Sequence, residues 1–116
     1  VAYIEEGGVT KMADKLKVVF MFWAAGADPA KHRVTFSLES VDVIAVGVGD
    51  YEQAVEVSQQ LVAEGASAIE LCAGFGNLGV AKVASAVKGV PVGVVKFDVH
   101  PLMGCKSGDQ ELGLLP

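Results

Sequence analysis

Between residues 41 and 98 the chain reads as strand, helix, strand, helix, strand, and this alternation restricts its fold more than any other feature. Residues 41–48 form a valine-rich apolar run closed by Gly49. Asp50 then offers an N-cap to a helix in which Tyr51, Ala54, Val55, Ser58, Leu61 and Val62 share one face. Gly65 supplies the left-handed residue that ends such a helix. Residues 68–73 read as the next strand, and Gly74 to Gly79 as a glycine loop opening a second helix that runs through Val87 and stops at Gly89. Residues 90–97 complete the pattern, with Pro91 near the start of its strand, where a missing amide donor matters least. Strands joined by right-handed helical crossovers lie parallel.

Upstream, residues 17–23 are an apolar run of β-branched and aromatic residues, too short for a typical helix, and they predict a central strand buried on both faces. Asp28-Pro29 is an N-cap followed by a first-turn proline, which predicts one helical turn over residues 29–33. Residues 33–38 fit an edge strand or a loop. The expected class is therefore α/β: a single-domain sandwich with a mainly parallel sheet of four to five strands and helices packed on it. A chain of 116 residues has room for one core.

The domain is assigned to residues 15–101. Residues 1–14 read as a leader-like extension, because Glu5-Glu6-Gly7-Gly8 is encodable by a purine-rich run containing a ribosome-binding sequence, with Met12 at start-codon distance. A genuine N-terminal arm is the alternative. Residues 102–116 form a glycine-rich tail expected to pack on the domain or on a neighbouring subunit.

A formal charge of -5 argues against nucleic acid and anionic membranes as partners. The longest apolar stretch, residues 18–27, is about half of the ~20 residues that span a bilayer. The N-terminus has no export signal, so the expected location is the cytoplasm, where Cys72 and Cys105 stay free thiols. With 52% hydrophobic residues, the domain is expected to bury surface in a homodimer, with Leu112, Leu114 and Leu115 as the candidate contact.

The pattern Gly74-Phe75-Gly76-Asn77-Leu78-Gly79 is a G-x-G-x-x-G loop between strand and helix, and Asp98 follows at the distance of a ribose-binding carboxylate. Unpaired amides at the helix start suit a phosphate or carboxylate. Gly74, Phe75, Gly76, Asn77, Gly79 and Asp98 are the candidate ligand residues, with Arg33, beside Asp28 and His32, at the rim of the site. A complete dinucleotide site needs a second half for which the chain has little room, and close helix packing explains the glycines equally well.

Glu70 interrupts an apolar strand and is a candidate general base or ligand anchor if buried, or an exposed or oligomer-facing residue if not. Cys72 is a candidate nucleophile with His100 as its base, against the alternative of an inert small hydrophobe. No metal site is expected: Asp98, His100, His32 and Cys105 lack the closed, repeated spacing of a structural zinc site.

The segments Gly26-Ala27-Asp28-Pro29-Ala30-Lys31-His32-Arg33, Val43-Ile44-Ala45-Val46-Gly47-Val48 and Ala68-Ile69-Glu70-Leu71-Cys72-Ala73-Gly74-Phe75-Gly76 together resemble a family of short bacterial proteins of unknown function. The resemblance spans residues 17–101 and implies one compact domain without implying an activity or a cofactor. Three readings stay open: a homo-oligomeric module binding a small anion at the glycine loop, a small enzyme with a nucleotide cofactor at the C-terminal edge of the sheet, and a protein-interaction domain.

Overall fold

A computed structural model of the chain describes residues 3–6, 9–12, 15–97, 101 and 104–116. Tyr3–Glu6 (β1) and Val9–Met12 (β2) pair antiparallel in a two-stranded ribbon of their own. The main sheet is built from Leu16–Trp23 (β3), Arg33–Ser37 (β4), Val41–Val48 (β5), Ala68–Leu71 (β6) and Val92–Val94 (β7). Their order is β4-β5-β3-β6-β7, with β3, β5, β6 and β7 parallel and β4 antiparallel on the outer side of β5. This is the expected α/β class, a mostly parallel sheet with helices packed on it.

Local chemistry explains the elements. Asp50 caps α1 (Tyr51–Ala63) by accepting from the Gln53 amide at 2.8 Å, and Gly65 follows the helix with φ of 101°. Asp28 organises the single turn expected after β3: its carbonyl accepts from Lys31 and His32, and its side chain from Ala30. The chain then enters β4, an edge strand as one of the two readings of residues 33–38 had it. The last strand is shorter than residues 90–97, since only Val92–Val94 carry the ladder to β6.

One expectation is overturned: β3 is central, but among the described residues helices cover one of its faces only. Its Val19 and Met21 are buried, whereas Val18, Phe20 and Phe22 are half-buried. The reason is topological. The crossovers β5 to β6 and β6 to β7 step across the sheet in the same direction, so right-handedness puts α1 and α2 (Asn77–Ala86) on the same side. The link from β3 to β5 runs through the hairpin strand β4 and brings no helix to the other side.

The core lies between sheet and helices, where Val19, Met21, Ile44, Val46, Ile69 and Leu71 meet Ala54, Val57 and Leu61 of α1 and Val83 of α2. Each large side chain buried there contributes about 1.5–3 kcal/mol relative to exposure. A short third helix, α3 (Gly108–Glu111), packs against α2.

Candidate functional site

The glycine loop delivers the chain to α2 with Gly76 at the N-cap, a residue that has no side chain to satisfy the first amides of the helix. Those amides find a carboxylate within the chain. Leu78 N donates to Asp109 Oδ2 at 2.9 Å and Gly79 N to Oδ1 at 3.2 Å, while the Tyr51 hydroxyl donates to Oδ1 at 3.0 Å. The same hydroxyl accepts from Gly76 N at 3.0 Å. Asp109 is 1% exposed, so the anion position at the start of α2 is filled by a carboxylate from the C-terminal segment.

Two features bring Asp109 there. Ser107 and Gln110 form a capping box, each side chain accepting from the other residue's amide at 3.2 and 3.1 Å, which winds α3 and aims its first turn at the loop. Leu114 and Leu115 amides close back on the Asp109 carbonyl. The loop in turn has glycine where contact is tightest: a Cβ on Gly76 would collide with the Asp109 carboxyl, and one on Gly79 with the Tyr51 ring. Tyr51 also stacks on Phe75, with ring centroids 5.5 Å apart.

Burial holds the Tyr51 phenol above its ordinary pKa; the Gly76 amide pulls it down, and the bond to Asp109 pushes it up again. An acid whose folded pKa is raised stabilises the fold fully below its unfolded pKa of about 10, and that stability is lost as pH rises beyond it. Tyr51→Phe is therefore expected to cost about 1–2 kcal/mol at neutral pH and to flatten the loss of stability above about pH 10. Urea midpoints measured from pH 7 to 12 check this, and parallel alkaline limbs in the two proteins would refute it.

The other predicted residues are less concentrated. Cys72 is half-buried at the end of β6, where its Sγ accepts from Trp23 N at 3.4 Å and Gly74 N at 3.3 Å. Asp98 and His100 lie outside the described residues, and with them the proposed Cys72–His100 pairing. Arg33 pairs with Glu64 at 3.6 Å, while Asp28 and His32 bond within their own turn, the Asp28 amide donating to His32 Nδ1 at 2.8 Å. Asn77 lines a hollow of about 110 Å³ beside Asp109, together with Lys96 and Ser107. Among the described residues no group of three His, Cys, Asp or Glu side chains is placed to hold a metal ion.

Glu70 is exposed on the helix-free face, because its neighbours Ile69 and Leu71 turn inward and strand alternation sends it the other way. That face is the second surface of interest. Val34 and Phe36 of β4 are 54% and 56% exposed there, beside half-buried Val18, Phe20, Val43 and Ala45. A hollow of about 480 Å³ spans the sheet from Val43 of β5 across Phe20 of β3 to β6 and β7, where Ala68, Glu70, Pro91 and Gly93 line it.

Sequence reasoning placed the loop and Glu70 but missed Asp109 and the role of Tyr51. Tyr51 was legible only as a core-facing helix residue. For Asp109 the available signal was Ser107-x-x-Gln110, a capping-box pattern that marks a helix start and puts Asp109 in its first turn.

These features define a small α/β domain with one helix-covered and one bare sheet face, its glycine loop engaged by a carboxylate of its own. The chain belongs to a family of unknown function, DUF6506, whose model matches residues 16–110 and so includes the capping box and Asp109. Comparison with curated proteins and with solved structures gave no match. No helix among the described residues is long and apolar enough to cross a membrane.

Proposed function

We propose that this chain is a non-catalytic binding module whose working surface is the helix-free face of the sheet. The observation that carries the reading is the row of apolar side chains that β3, β4 and β5 present away from both helices, with Phe36 more than half exposed. A patch of this kind on a small domain marks a site of association. Native mass spectrometry of freshly purified protein tests the reading: an associated species is expected with the unaltered chain and is expected to be lost in Phe36→Lys, whose exposed position leaves the core untouched. A bound small molecule that survives Phe36→Lys would move the function to the glycine loop.

A second reading has its own support. The loop donors and Tyr51 converge on a carboxylate, and Asn77, Lys96 and Ser107 line the hollow beside it. An external carboxylate or phosphate exchanging with Asp109 would then free the C-terminal segment. On this reading acetate or inorganic phosphate raises the melting temperature of the unaltered chain and has no such effect on Lys96→Ala. An equal response of both proteins, or of neither, counts against it.

A further inference from the structure

We propose that the bare sheet face binds a second copy of this chain, sheet against sheet, about a two-fold axis running along β3. The proposal rests on the reading of that face as the binding surface and names its occupant.

Size is the first argument. Five strands spaced about 4.8 Å apart and averaging five to six residues present a face roughly 24 Å by 18 Å. Two such faces, corrugated by their side chains, bury on the order of 1,000 Å², the scale at which specific interfaces begin. Two sheets packed this way form an ordinary sandwich about 10 Å thick.

Shape chooses the partner and the axis. On one side of β3 stand the exposed Val34 and Phe36 of β4; on the other lie Ala68 and Gly93, from which the hollow reaches across Val18 and Phe20 to Val43. A two-fold along β3 lays the bulky half of each copy on the shallow half of the other while strand direction is kept, so residues at equal height meet. Glu70 and Ala45 both pair with Phe20, so Glu70 of one copy faces Ala45 of the second. Gly93, at the height of Glu70, faces Val34, at the height of Ala45. Large opposes small at both places.

Charge chooses the same axis. Ladder register puts Lys17 and Arg33 on the helix side of their strands, so Glu70 is the charged strand residue of the bare face and meets no Lys, Arg or His of those strands. A two-fold across the strands would set β6 on β6 and bring the two Glu70 carboxylates together, which is repulsive. An axis along β3 keeps them on opposite sides, about two strand spacings or ~10 Å apart.

The test uses the full chain and two variants that collide with nothing in their own copy: Val34→Lys at a position 54% exposed, and Gly93→Asp, whose new Cβ would meet nothing within 4 Å. The carboxylate of Gly93→Asp stands beside Glu70, so melting curves first confirm that both variants are folded. Sedimentation velocity is expected to show a concentration-dependent dimer for the unaltered chain and about 100-fold weaker association for each variant alone. Mixing the variants is expected to restore a heterodimer, since the ammonium group introduced by Val34→Lys in one chain then faces the carboxylate introduced by Gly93→Asp in the other, while the second contact stays unaltered. A dimer whose variants are not rescued by mixing overturns the axis. A monomer at every concentration overturns the second copy; the surface reading survives that result if another species is lost on Phe36→Lys and falls if nothing is.

Discussion

Replacing Asp109 with alanine is expected to destabilise the domain by about 3–5 kcal/mol, because two backbone amides and a phenol lose their acceptor, a carboxylate only 1% exposed. The donors concerned are Leu78 N, Gly79 N and the Tyr51 hydroxyl. Asp109→Asn keeps the shape but turns an amide N–H towards either Leu78 N or the two donors on Oδ1, so a smaller loss of about 1–3 kcal/mol is expected. Denaturant melts of the three proteins measure both differences. Formate or acetate is expected to recover part of the loss in Asp109→Ala by entering the vacated position. A cost below about 1 kcal/mol for the alanine variant would mean that the C-terminal segment contributes little to the fold.

Gly76→Val is expected to act through the same contact from the other side. The valine side chain has to occupy the space of the Asp109 carboxyl, and backbone at a helix start has little room to retreat. Overpacking combined with loss of the Asp109 bonds is expected to cost about 2–4 kcal/mol and to release residues 107–116 to proteolysis. In an Asp109→Ala background the collision partner is gone, so the same substitution is expected to cost at least about 1 kcal/mol less. Additive losses in the double variant would show that Gly76 and Asp109 act independently. The result also bears on function: the collision would explain a lost anion response in Gly76→Val without any ligand at the loop, so Lys96→Ala is the cleaner probe of exchange.

The elements that follow from local chemistry were legible in the chain itself. The alternation over residues 41–98 implied the parallel sheet, and it formed because helix and strand periodicities and the stops at Gly65 and Gly89 agree at every step. The loop from Gly74 to Gly79 was readable as a donor-rich helix start for the same reason. Its occupant was not. Asp109 lies thirty residues downstream of Gly79 in a segment with little apolar periodicity, and only folding brings a carboxylate from there into hydrogen-bond range.

The bare face was hidden for a different reason. A run such as Val18-Val19-Phe20-Met21-Phe22 is apolar at every position, and period-two alternation cannot be read from a strand whose exposed side chains are as hydrophobic as its buried ones. Over residues 41–98 the sequence by itself determined the order of strands and helices, because capping, turn chemistry and apolar periodicity act over a few residues. Only the tertiary structure decided which sheet face the helices cover and which carboxylate the glycine loop holds. The first depends on the direction and handedness of two crossovers, the second on contacts between residues far apart in the chain.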